Sequence, residues 1–152
     1  MQIVSYHKHL KNQVIGFIQK IWFEFNKSWE PEGRDKDFFN ISSTYQLSGG
    51  EFWVVLDEKG DVVGTVALKP LSPNEVELKR FYLDSIYRGQ GIGKKLITKS
   101  IEKAKERGFK NIKLDTSKKL TQAYSLFQKF GFKEVEPYLD NARSDTFMEL
   151  SL

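Results

Sequence analysis

Residues 88–93 read Arg88-Gly89-Gln90-Gly91-Ile92-Gly93, set between an apolar strand-like run and an amphipathic helix. Glycine at every second position lets the backbone turn sharply and approach a ligand with no Cβ in the way. The helix that follows presents unpaired N–H groups and the positive end of its dipole to an anion. Arg88 at the mouth and Lys94 and Lys95 just inside add positive charge. The expected fold must therefore hold a strand, this loop and a helix together as one unit, and the expected ligand is a polyphosphate. The plain alternative is a turn that only joins strand to helix.

Two common phosphate motifs do not fit. The dinucleotide fingerprint needs G-x-G-x-x-G, and the Walker loop needs G-x-x-x-x-G-K-[ST]. Here Gly89, Gly91 and Gly93 alternate, and Gly93-Lys94 is followed by Lys95.

The rest of the chain narrows the chemistry. At 152 residues it has the length of one domain. No stretch reaches the roughly 18 apolar residues of a membrane span, and Met1–Ser5 lacks the basic start and apolar core of a signal peptide; the expected compartment is the cytoplasm. With no cysteine, thiolate metal sites and an acyl-cysteine intermediate are excluded. His7 and His9 lie near the N-terminus, so neither a metal centre nor a histidine triad is expected. A net charge of +4 is spread among nearly as many acids as bases. It forms no clustered basic helix, and nucleic acid is not an expected partner.

Apolar periodicity orders the elements. Met1–Tyr6 alternates as a first strand. Leu10, Val14, Phe17, Ile18, Ile21, Trp22 and Phe25 recur at helical spacing. Asp35 or Asp37 is expected to cap a short second helix running through Tyr45. Phe52–Leu56 and Val62–Leu68 read as a hairpin. Glu75–Leu83 reads as a strand whose alternation slips by one residue around Lys79-Arg80, which predicts a β-bulge. A helix from Ile92 to Gly108, a strand at 111–115, a helix closed by Gly131 and two terminal strands complete the order β-α-α-β-β-β-α-β-α-β-β.

The loop fits [QR]-x-x-G-x-[GA] through Arg88, Gly91 and Gly93, and in this it resembles the acetyl-CoA pyrophosphate loop of the GNAT superfamily of N-acetyltransferases. The element order is similar to the GNAT fold throughout, as a single domain over residues 1–152. Leu114-Asp115-Thr116, Ala123, Gly131-Phe132 and Pro137-Tyr138 resemble a bacterial subgroup. The resemblance implies a mixed α/β fold, with a mostly antiparallel sheet, splayed fourth and fifth strands and helices on both faces. It implies acetyl-CoA as cosubstrate, its pantetheine arm pairing with the main chain of Phe81, Tyr82 and Leu83. The N–H groups of Arg88, Gly89, Gln90, Gly91, Ile92, Gly93 and Lys94 would hold the pyrophosphate, with the Arg88 side chain as a further donor. Lys118 or Lys119 would meet the adenosine phosphate.

Acetyl transfer to an amine needs a base for the ammonium proton, donors for the oxyanion and a route for the departing thiolate. Glu77 is the expected base. It lies eleven residues before Arg88 on a strand face opposite Val76 and Leu78; the alternative is a surface glutamate paired with Lys79 or Arg80. The tyrosine that many GNAT members place near the sulfur is replaced by Phe127, and their usual asparagine by Leu120. Tyr124, one turn before Phe127, is the substitute acid, with Tyr138 as a second candidate. Trp29 and Arg34 are the expected acceptor-pocket residues, and an arginine there suits a carboxylate.

The expected function is thus direct acetyl transfer from acetyl-CoA to a primary amine of a small molecule or protein. Because of Phe127 and Leu120, the alternative is a non-catalytic acetyl-CoA-binding sensor or partner module. A homodimer is compatible with the resemblance.

Overall fold

A computed structural model describes residues 1–152. Seven strands form one sheet in the order β1-β2-β3-β4-β5-β7-β6. These are β1 (Gln2–Ser5), β2 (Glu51–Leu56), β3 (Val62–Pro70), β4 (Glu75–Leu83), β5 (Asn111–Thr116), β6 (Lys133–Val135) and β7 (Thr146–Ser151). Every neighbouring pair is antiparallel except β4–β5, which is parallel. The helices are α1 (Lys11–Glu24), α2 (Ile92–Glu106) and α3 (Thr121–Lys129).

The sheet separates two cores. Val14, Phe17, Ile18, Ile21 and Trp22 of α1 pack on one face with Phe38, Tyr45, Phe52 and Val54. Leu96, Ile97 and Ala104 of α2 and Phe127 of α3 pack on the other with Val66, Leu68, Val76, Leu78 and Ile112. Burying a side chain such as Ile18 or Leu96 stabilises the fold by about 1.5–3 kcal/mol each, so these stripes dictate which helix covers which face. Helices do lie on both faces, as the resemblance implies. No helix is long and apolar enough to cross a membrane.

Two features open the middle of the sheet. β4 pairs with β5 only from Glu75↔Asn111 to Glu77↔Lys113. Beyond that point the strands diverge, and the β5-facing edge of β4 is unpaired. The bulge lies where the broken alternation predicts it. Thr65 pairs with Tyr82 but Ala67 pairs with Lys79, so Arg80 and Phe81 share the single partner position Val66.

Arg80 takes a φ of 54°, a conformation that costs a non-glycine residue about 1–2 kcal/mol. Hydrogen bonds offset that cost. The Arg80 carbonyl accepts from Thr65 Oγ1 at 2.7 Å, and its guanidinium is tied down on the α1 side.

One predicted element differs. The second helix is two short turns, a 3₁₀ turn at Lys36–Phe39 and a π turn at Ser42–Gln46. Neither Asp35 nor Asp37 caps it. Both carboxylates turn inward to arginines instead, which are stronger partners than a helix-end N–H.

Candidate active site

The loop predicted from glycine spacing is formed as a chain of free donors. Gly89 and Gly91 take φ values of 76° and 82°, which glycine adopts without Cβ strain. Gly91 caps α2 with no side-chain bond. None of the N–H groups of residues 89–94 finds an acceptor in the chain; the first paired donor of α2 is Lys95, to the Gly91 carbonyl at 3.2 Å. The buried Ile92 side chain anchors the turn to the core, while Gly89, Gln90, Gly91 and Lys94 are exposed. At Gly93 a Cβ would sit 3.3 Å from both Leu126 and Phe81, so small size there sets how close α2 comes to β4 and α3.

The Arg88 side chain departs from its expected role. Its Nε donates to the Leu83 carbonyl at 2.9 Å and its terminal nitrogens to the Glu24 carboxylate. It also lies over the Phe25 ring. Arg88 therefore ties the loop to the end of α1, where Glu24 offers a bidentate partner.

Between β4 and β5 lies a cleft of about 330 Å³. Phe81, Leu114, Leu120, Ala123 and Phe127 make an apolar wall, with the Phe81 and Phe127 rings 5.3 Å apart. Phe127 thus stands in the cleft as a packing residue without a hydroxyl. The only tyrosine in the lining is Tyr82, which crosses the Trp22 ring edge-on at 5.0 Å and whose hydroxyl has no partner in the chain. Burial raises the Tyr82 phenol above its ordinary range, with Asp115 adding to the rise, so it stays protonated.

Glu77 is buried, not a surface glutamate. Its Oε2 accepts from the Tyr138 hydroxyl at 2.6 Å, and its Oε1 lies 3.5 Å from Lys79 Nζ. Glu77 does not itself line the cleft; Leu78 and Lys79 do, as do Leu139 and Asp140 next to Tyr138. Burial and then the negative charge of Glu77 push the Tyr138 phenol far up, so its proton is retained.

Tyr124, by contrast, turns away from the cleft. Its hydroxyl donates to Glu134 at 3.2 Å and accepts from Gln128, near the exposed β6 edge. The helical turn between Tyr124 and Phe127 rotates only the latter inward. Lys118 is likewise paired with Glu134, at 3.1 Å.

Arg34 lines the cleft, whereas Trp29 packs behind it on Phe38 and Phe39, its large apolar surface taking the more buried position. The dominant charges of this wall come from residues that sequence reasoning did not single out. The fully buried Asp35 accepts from Arg143 at 2.9 Å, from Trp22 Nε1 at 3.1 Å and from the Glu30 N–H at 2.8 Å. Arg80 reaches Asp37, Asp35 and the Arg34 carbonyl. Burial alone would raise the Asp35 carboxyl, but the bonds from Arg143, Glu30 and Trp22 outweigh it and hold it below the usual range. Asp115, on β5, accepts from Asn141 at 2.6 Å and Ser144 at 2.7 Å. The bulge signal marked Arg80 and the Leu114-Asp115-Thr116 run marked Asp115 without giving it a role, but no local pattern marks Arg143. No three His, Cys, Asp or Glu side chains converge in an arrangement that could hold a metal ion.

The donor set suits a pyrophosphate: consecutive main-chain N–H groups at a helix start, reached along an unpaired strand edge. Comparison with known proteins gives the family. Residues 13–132 match the profile of the Acetyltransferase (GNAT) family. An Escherichia coli protein named uncharacterized N-acetyltransferase YjgM is 33% identical over 105 residues, covering 67% of this chain and 62% of its own. Several other curated relatives are longer still, and the chain spans about half their length. A GNAT-family acetyltransferase crystal structure from Staphylococcus aureus Mu50 superposes with a TM-score of 0.90 at 32% identity, covering 99% of this chain and 98% of the other. A Sinorhizobium meliloti phosphinothricin acetyltransferase in complex with acetyl-CoA shares the fold at TM-score 0.77 and 19% identity, covering 99% of this chain and 88% of its own. Loop, splayed strands and relatives agree: the chain belongs to the GNAT acetyltransferase family.

Proposed function

We propose that the protein transfers the acetyl group of acetyl-CoA to a primary amine, by direct attack and without a covalent enzyme intermediate, in the cytoplasm. The observation that carries this reading is the row of unpaired N–H donors from Gly89 to Lys94 at the end of the open β4 edge. Those donors hold the pyrophosphate, and the main chain of Phe81 and Tyr82 pairs with the pantetheine amides. The Leu83 carbonyl is already used by Arg88. Bound there, acetyl-CoA supplies an activated thioester.

The amine must lose a proton before it attacks. Glu77 is the sink for that proton; neither it nor Tyr138 lines the cleft, so the proton path runs through water to the Tyr138 hydroxyl, the relay to Glu77. As the phenol oxygen takes a proton from that water, its own proton passes to Oε2. The phenol never becomes a free phenolate, consistent with the upward push on its titration. A bulge-strand N–H and the Tyr82 hydroxyl are the nearest donors for the developing oxyanion. The thiolate needs no dedicated acid. With a thiol pKa of about 8.5 it departs as the thiolate and takes its proton from water. Phe127 is therefore no obstacle to turnover.

Thermal denaturation with and without acetyl-CoA, with ATP as a polyphosphate control, tests the binding half. Saturation at about a hundred times Kd adds about 2.7 kcal/mol, a rise of roughly 5–11 °C at this size. A shift with ATP alone, or none, removes the cofactor assignment. For the chemical half, Glu77→Gln lowers kcat/KM by about 100-fold or more near neutral pH. Activity recovers partly at alkaline pH, where more free amine exists. An unchanged pH–rate profile removes Glu77 as the proton sink.

A further inference from the structure

The α1-side wall of the cleft holds more positive charge than its own carboxylates can use. Lys27, Arg34 and Arg143 line it, backed by Arg80. Its carboxylates are already committed. Asp35 is held by Arg143, Arg80, Trp22 and the Glu30 N–H, Asp37 by Arg80 and Tyr45, and Glu30 by Arg143 and Arg34.

Lys27 is the cation left over. Its backbone is rigid: α1 ends in a left-handed Asn26 with φ of 54°, and the Lys27 N–H closes on the Trp22 carbonyl at 2.7 Å. Its ammonium lies over the Trp22 ring, 5.4 Å from the centroid, and makes no ion pair or hydrogen bond within the chain. Burial and then the positive charge of Arg143 lower its titration from the ordinary lysine range, with Asp115 and Asp35 offsetting only part of that, and an incoming anion would offset more. Two more donors face the same space unused. Arg34 has only a 3.6 Å ion pair with Glu30 and no hydrogen bond, and Arg143 Nε–H has no acceptor. The same cleft also carries carboxylates. Asp115 binds Asn141 and Ser144 through Oδ2 alone, leaving Oδ1 without a hydrogen bond, and Asp140 is also part of the lining.

We propose that Lys27, Arg34 and the Nε–H of Arg143 form a subsite for a carboxylate on the acceptor, making the substrate class zwitterionic amines such as amino acids. This rests on the acetyl-transfer reading and gives it an orientation. The carboxylate docks on the α1-side wall, and the amine end points across the cleft toward Asp115 and the Tyr138–Glu77 pair. A plain alkylamine or diamine would leave Lys27 desolvated and unpaired, which disfavours it.

The test uses matched acceptors that differ only in the carboxylate, lysine against cadaverine and γ-aminobutyrate against butylamine. Each is assayed with the wild type, Lys27→Met and Lys27→Arg, and each variant is titrated with acetyl-CoA to show that its cofactor cleft is intact. The wild type should favour the carboxylate member of each pair by about 10- to 100-fold in kcat/KM, the scale of a charge-assisted hydrogen bond, and mostly through KM. Lys27→Met should bring the ratio close to one, and Lys27→Arg should restore most of it. Acetylation of both members with equal kcat/KM, or an undiminished ratio in Lys27→Met, overturns the carboxylate subsite while leaving acetyl transfer standing. Acetyl-CoA binding with no acetylation of any amine overturns the transfer reading, and the subsite with it.

Discussion

The two ends of the cleft are built by opposite means. At the phosphate end, consecutive residues supply the donors, the groups are main-chain N–H, and the loop is exposed. At the acceptor end, the charges come from Glu30, Asp35, Asp37, Arg80 and Arg143, whose arginine–carboxylate bonds span from 43 to 113 positions of sequence. Those groups are largely buried, with Asp35 wholly so. An exposed main-chain nest costs little to leave empty, because water occupies its donors. A buried ion cluster stands only when complete, since desolvating a charge without its partner costs several kcal/mol. One end is thus written locally in the backbone, while the ion cluster at the other is written across the chain.

The sharpest way to break this contrast is Gly91→Glu. The new side chain would sit at a φ of 82° and bring a carboxylate to the phosphate position. Acetyl-CoA affinity should fall by about 100-fold or more, the combined scale of backbone strain and lost charge complementarity, with the fold retained by circular dichroism. Wild-type affinity in a folded variant would detach the phosphate end from this loop.

Asp35→Ala attacks the other end and should act on stability first. It leaves Arg80 and Arg143 short of their shared partner, at a cost of about 3–5 kcal/mol. At this chain length that is a fall in Tm of roughly 6–20 °C. A drop below about 2 °C would mean the cluster is far better hydrated than its burial suggests.

Acid sharpens the same point. The Asp35 carboxyl titrates below its ordinary range in the folded protein. Its stabilisation is therefore fully present above the unfolded value of about 3.9 and disappears as pH falls through the lower folded value. Tm measured against pH should drop more steeply below about pH 4 in the wild type than in Asp35→Asn. Parallel curves would show that other carboxylates govern acid unfolding.

Tyr124→Phe should do least. Its hydroxyl serves only Glu134 and Gln128 at the surface, so stability should change by less than about 0.5 kcal/mol and kcat should not move. Tyr138→Phe, which removes the relay to Glu77, should lower kcat. The reverse pattern in steady-state kinetics would return the acid to α3.

Much of the architecture could be read before any coordinates. The stripe from Val14 to Trp22, the broken alternation at Lys79-Arg80 and the glycines at 89 and 91 each report a local requirement: a buried face, an extra residue in a ladder, a left-handed turn. The stretch from Asp35 to Tyr45 misled, because an aspartate before an apolar run signals a helix cap only when no arginine competes for it. The Phe127 substitution pointed to Tyr124, since helical spacing alone cannot separate the inward face of α3 from the face that meets Glu134.

What this sequence determined by itself is therefore what neighbouring residues can settle: the order of strands and helices, the bulge, and a glycine turn with free backbone donors. Tertiary closure alone decided which charges meet. Arg80 and Arg143 converge on Asp35, Tyr138 on Glu77, and Lys27 is left in the cleft without a partner. A hydrogen-bonded turn carries its signature in adjacent φ angles and side-chain sizes. A buried ion pair has none, because it exists only once folding has brought distant segments together and removed the water between them.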